Sequence, residues 1–106
     1  MDDRELLEMA AKAAGIEVIR IDDPGAWIAG GGGIYWNPLT DDGDALRLAE
    51  SLGFTICMNG SGTVSASDDY DKSVFATQSI HECGGNRLAA TRRAIVRAAA
   101  AIGRAM

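Results

Sequence analysis

The chain has 106 residues, 47 % of them hydrophobic, and a formal net charge of −5. That length and composition predict one domain, residues 1–106, able to bury its own core. The acidic total excludes broad phosphate-backbone binding, which requires many Lys and Arg, so no general nucleic-acid partner is expected. The charge is unevenly spread: residues 1–53 carry 11 Asp and Glu against 4 Lys and Arg, whereas residues 54–106 carry 4 against 6. The longest apolar runs fall well short of the roughly 20 residues a membrane span needs. The opening M-D-D-R-E-L-L-E is acidic where a secretory signal would be basic, so a cytoplasmic protein is expected. Cys57 and Cys83 are too few for a disulfide framework and read as small buried hydrophobes with unlinked thiols.

Asp2 or Asp3 followed by R-E-L-L-E-M-A-A-K-A-A-G predicts a capped helix with Leu6, Leu7, Ala10, Ala13 and Ala14 on one stripe and Gly15 as its stop. I-E-V-I-R-I-D, residues 16–22, reads as a strand with apolar residues on both faces: Ile16, Val18 and Arg20 on one side, Glu17, Ile19 and Ile21 on the other. D-D-P-G is a turn signal, after which A-W-I-A, the tetraglycine 30–33 and I-Y-W-N-P predict a second strand, a break and a third strand. The break reads equally well as a hairpin loop or a bulge. D-A-L-R-L-A-E-S-L-G predicts a short helix on Ala45, Leu48, Ala49 and Leu52, stopped by Gly53.

F-T-I-C-M-N, G-S-G and T-V-S-A-S read as a hairpin, and D-D-Y-D-K-S as a solvated polar turn. V-F-A-T-Q-S-I-H-E-C then predicts one more strand, ended by Gly84 and Gly85. From Asn86 onward a long helix carries Leu88, Ile95, Ala99, Ile102 and Met106 in one stripe and Arg93, Arg97 and Arg104 opposite, which predicts packing on one side only. The element order is α-β-β-β-α-β-β-β-α, and links of hairpin length favour antiparallel pairing. The expected class is α+β: a three-layer α/β/α sandwich in which one largely antiparallel sheet has helices on both faces.

W-N-P-L-T-D-D-G-D, residues 36–44, is the densest run of chemistry-bearing side chains. Pro38 holds Asn37 extended, Asp41 sits at an N-cap position and Asp44 three residues on, so the run reads first as a strand-to-helix corner. Its functional alternative is a ligand-contacting corner through Trp36, Asn37 and Asp42. Metal is not expected, because D-D-G-D lacks the oxygen spacing and closing glutamate of a calcium loop.

The tetraglycine is followed by neither a P-loop lysine nor a helix start, so the phosphate-loop and dinucleotide motifs both fail and no cofactor is expected. Gly31 and Gly32, flanked by Trp27, Tyr35 and Trp36, form the candidate lid of a small-ligand or partner site. His81 and Cys83 are placed on one side of a strand with Cys57 in the same sheet. Their spacing matches no standard zinc arrangement, and no third group orients a Cys–His pair, so no catalytic residue is assigned. Arg92, Arg93 and Arg97 read as a solvated helix face whose functional alternative is a grip on an anion or an acidic partner.

The segments W-N-P-L-T-D-D-G-D-A-L-R-L-A, A-A-T-R-R-A-I-V-R-A-A-A-A-I-G and D-R-E-L-L-E-M-A-A-K-A-A-G resemble the small phage and prophage proteins grouped as the phage ABA sandwich domain. The resemblance covers both ends and the middle of the chain and is less distinct between about residues 54 and 88. It implies a layered α/β/α fold and a phage- or prophage-encoded protein acting inside the host bacterial cytoplasm, and it transfers no activity. The tetraglycine and H-E-C are not features of that family.

The expected function is that of a non-catalytic accessory protein binding a host protein or a small ligand. Two alternatives differ in class: a structural or self-assembling phage component, suggested by the alanine-rich last helix, and a small enzyme using His81 with Cys83 or Cys57.

Overall fold

A computed structural model describes residues 2–21, 25–28, 34–58, 62–71 and 73–106. Its elements are α1 (Asp3–Ala14), β1 (Val18–Ile21), β2 (Ala26–Ile28), β3 (Ile34–Trp36), α2 (Asp42–Leu52), β4 (Phe54–Cys57), β5 (Thr63–Asp68), β6 (Phe75–Ser79), a 3-10 turn (His81–Cys83) and α3 (Arg87–Ala105). The class is α+β, all strand pairs are antiparallel, and the order of helices and strands is the one expected. Among the described residues no helix is long and apolar enough to cross a membrane.

The helix ends follow local chemistry. Asp2 caps α1 by accepting the Glu5 N–H at 2.9 Å, and Asp41 caps α2 by accepting the Asp44 N–H at 2.8 Å. Asn86 caps α3 by accepting the Ala89 N–H at 3.0 Å. Gly15 and Gly53 both close their helices at φ 70°, where a Cβ would be unfavourable.

Among the described residues the strands form two three-stranded sheets, β1-β2-β3 and β4-β5-β6, where the sequence suggested one continuous sheet. In the second sheet Val64, Ala66, Ala76 and Gln78 face inward and are buried, whereas Thr55, Cys57, Phe75 and Thr77 are exposed. The alternation is the reason: apart from Phe75 that face carries small side chains, Thr55, Cys57, Ser65, Ser67 and Thr77, which need no apolar cover, and among the described residues no helix roofs it. Cys57 is therefore exposed, not buried, and Cys83 is half-buried against the core.

Strand β1 also departs from simple alternation. Val18 pairs with Ile28, Arg20 with Trp27 and Ile21 with Ala26, with a bulge between Val18 and Arg20. One extra residue at the bulge puts Val18 and Ile21 on the same face and leaves Ile19 60 % exposed, so only one face of β1 is covered.

Helix α3 is the centre of the molecule. Ala90, Thr91, Ala94, Ile95, Val96, Ala98, Ala99, Ala100 and Gly103 are all buried, which at 100° per residue covers most of the helix circumference. It packs against α1, α2 and the second sheet together, and not on one side only. Alanine explains the difference: its small side chain lets neighbours approach from every direction without forming an apolar stripe. Leu88 and Met106, assigned to the stripe by periodicity, protrude at the helix ends and are exposed. The backbones of α1 and α3 approach closely at Gly103, where an added Cβ would collide with the Met9 carbonyl oxygen.

Candidate functional site

Trp36, Asn37 and Pro38 are buried, and the corner they begin is held by its own backbone. Asn37 Oδ1 accepts the Leu39 N–H at 3.1 Å, and its carbonyl accepts the N–H groups of Thr40 and Asp41. The Asn37 N–H is donated to Asp44 Oδ2 at 2.9 Å, and Asp44 Oδ1 accepts from Arg47 Nη2 at 2.7 Å. Both carboxylate oxygens of Asp44 are thus engaged inside the corner. Asp42 faces another way: its Oδ1 accepts Arg92 Nη1 at 2.5 Å, while Arg92 Nε donates to the Leu39 carbonyl at 2.9 Å, fastening the corner to α3. Trp36 and Asn37 are thus buried inside the corner, and Asp42 is paired with Arg92 at its surface. Gly31 and Gly32 lie outside the described residues.

The other two aromatic candidates come together on the first sheet. Cross-strand register aligns Arg20, Trp27 and Tyr35 in one row. The Arg20 guanidinium lies 5.6 Å from the Trp27 ring centroid, and the Trp27 and Tyr35 rings meet edge to face at 5.4 Å and 71°. Tyr35 is 42 % exposed, Trp27 is half-buried and Ile19 in the adjoining bulge is exposed, whereas Ile34, in register with Ile28, alternates with Tyr35 and belongs to the face of Trp36. Gly25 seats the tyrosine, since a Cβ there would fall 2.5 Å from Tyr35 Oη. Trp36, next along β3, points to the opposite, buried face, so the three aromatics do not make one pocket.

His81 and Cys83 are not on a strand. β6 stops at Ser79, whose hydroxyl accepts the Glu82 N–H, and the chain turns through a 3-10 segment closed by Gly84 and Gly85 at φ 69° and 78°. The two glycines make the turn itself, so the strand ends four residues before Cys83. Among the described residues no group of three or more His, Cys, Asp or Glu side chains is placed to hold a metal ion.

The arginine face of α3 proves more structured than a solvated surface. A groove of about 570 Å³ runs along it between α1 and β6, lined by Leu6, Thr77, Gln78, Glu82, Arg93, Arg97, Ala101 and Arg104. Arg93 Nη2 pairs with Asp3 Oδ1 at 2.9 Å, and Arg97 Nη1 donates to the Thr77 carbonyl at 2.9 Å and to Gln78 Oε1 at 3.0 Å. The arginines were legible in the sequence as a face of one helix. The walls of the groove come from α1 and β6, distant in sequence, and were not.

A second, apolar groove of about 260 Å³ lies beside β4, bounded by Leu46, Ile56, Met58, Leu88 and Ile95. No family model, no curated protein and no solved structure matches this chain.

Proposed function

We propose that the protein is a phage or prophage accessory protein that acts without catalysis, by binding a host protein in the bacterial cytoplasm. One observation carries this reading: the row Arg20, Trp27 and Tyr35 on one face of the first sheet, in which Arg20 and Tyr35 are exposed and Trp27 is half-buried between them, with exposed Ile19 in the adjoining bulge. Arg, Trp and Tyr are the residue types that dominate binding energy at protein interfaces. The excess negative charge of the chain also favours encounter with basic surfaces.

The test is native mass spectrometry of the tagged chain recovered from bacterial cells, beside the Trp27→Ala/Tyr35→Ala variant. A stoichiometric protein adduct present in the first sample and absent in the second is expected. An adduct of unchanged abundance in the variant, or an adduct of small-molecule mass alone, contradicts the reading.

Self-assembly is a second reading, and its support has moved. The alanines of α3 that suggested it are consumed by packing within the chain, with Ala94, Ala98 and Ala99 at 0 % exposure. The apolar groove beside β4, rimmed by exposed Leu46, Met58 and Leu88, is the feature that favours it. A monomer at every concentration in sedimentation removes this second reading.

A further inference from the structure

The groove over the arginine face of α3 has the makings of an anion site, separate from the aromatic row. Arg93 and Arg97 stand four residues apart on one helix face, a like-charge spacing that is unfavourable in an isolated helix. Arg104 lies a further two turns along, about 10 Å up the axis and on nearly the same face. Of the three, only Arg93 has a charged partner among the described residues, Asp3. Arg97 is held by two neutral oxygens, the Thr77 carbonyl and Oε1 of the buried Gln78, so it is oriented without being neutralised.

A guanidinium carries five N–H donors, and both of these bonds use Nη1. Arg104 has no ion pair or hydrogen-bond partner among the described residues. Two carboxylate features oppose an anion: Glu82 in the groove wall, and Asp2, Glu5 and Glu8, which share a neighbouring depression with Arg104. None of these four is within ion-pair distance of Arg97 or Arg104 among the described residues.

The geometry points to a binding site for a small phosphate-bearing anion in this groove, with Arg97 as the oriented anchor and exposed Arg104 as the second contact. The volume, about 570 Å³, is that of a small-ligand site. Guanidinium groups recognise phosphate through paired N–H bonds, and an Arg preset by neutral partners loses little freedom on binding. The opening is too polar to attract an apolar ligand and too local to follow a nucleic-acid backbone in a chain of net charge −5.

The test titrates inorganic pyrophosphate into the full chain by isothermal calorimetry at low salt, with citrate as the carboxylate comparison. Saturable one-to-one pyrophosphate binding is expected, at least about tenfold tighter than citrate, a difference of about 1.4 kcal/mol. Arg97→Gln and Arg104→Gln are each expected to weaken it about tenfold or more, and Arg4→Gln on the exposed side of α1 to leave it within about twofold. Arg104→Gln keeps the test decisive if Arg97→Gln unsettles the fold, because the Arg104 side chain makes no hydrogen bond or ion pair among the described residues. No saturable binding, equal affinity for citrate, or an equal loss in Arg4→Gln and Arg104→Gln would each overturn the site.

Discussion

Asp44, in the first turn of α2, accepts at 2.9 Å the backbone N–H of Asn37, which precedes it by seven residues and lies outside the helix. A carboxylate at this position ordinarily reaches back only to the N-cap. Here the cap is Asp41, and Asp44 bridges past it to the buried end of β3, so one side chain fixes both the helix start and the angle at which the strand enters it.

That bridge gives the first prediction. Asp44→Ala leaves a partly buried amide without its acceptor and is expected to cost about 1–3 kcal/mol in urea unfolding. Asp42→Asn, which alters only the exposed half of the Arg92 pair, is expected to change stability by no more than about 1 kcal/mol. Equal losses in the two variants would show that the corner does not depend on the Asn37 contact.

Gly103→Ala tests the contact between α1 and α3. The added methyl has no space beside the Met9 carbonyl, which belongs to rigid helical backbone and cannot turn aside as a side chain would. A loss of about 1–3 kcal/mol or more is expected despite alanine's higher helix propensity. A gain in the thermal midpoint would mean that the helices stand further apart.

The aromatic row rests on Gly25. Gly25→Ala would displace the Tyr35 ring and disturb its edge-to-face contact with Trp27. Trp27 fluorescence is expected to shift in the variant, and recovery of the partner from cells to fall. Unchanged emission would show that the tyrosine has another resting place.

Asp71 supplies a pH-dependent signal. The Ser73 hydroxyl, bonded to its carboxylate at 2.6 Å, and then the Ser73 N–H hold its pKa below the ordinary value. The ionised form accepts these bonds, so their contribution is complete above the ordinary carboxylate range and is lost as pH falls through the lowered pKa. Ser73→Ala is expected to raise the Asp71 pKa toward its ordinary value in an NMR titration. No movement would remove the hydroxyl as the main cause.

Features fixed by neighbours in the chain were legible in the sequence: the caps at Asp2 and Asp41, the stops at Gly15 and Gly53, and the structural reading of the corner at Pro38. Features decided at long range were not. The bulge between Val18 and Arg20 depends on the register against β2, which no local pattern encodes. The 3-10 turn at His81–Cys83 looks extended in composition, and only its two left-handed glycines betray a turn. Helix α3 carries too little contrast between alanine and its neighbours for a hydrophobic pattern to reveal that it is enclosed. The groove walls, Thr77 and Gln78, stand 20 and 19 residues from the arginine they orient.

Binding through the Arg20, Trp27 and Tyr35 row is tested most directly by hydroxyl-radical footprinting of the chain, free and in bacterial extract. Oxidation of Trp27 and Tyr35 is expected to fall in the extract, while Tyr70, at 90 % exposure, and Phe75, at 60 %, stay as reactive as in the free chain. Unchanged oxidation at Trp27 and Tyr35, with protection appearing at Tyr70 or Phe75, would contradict it.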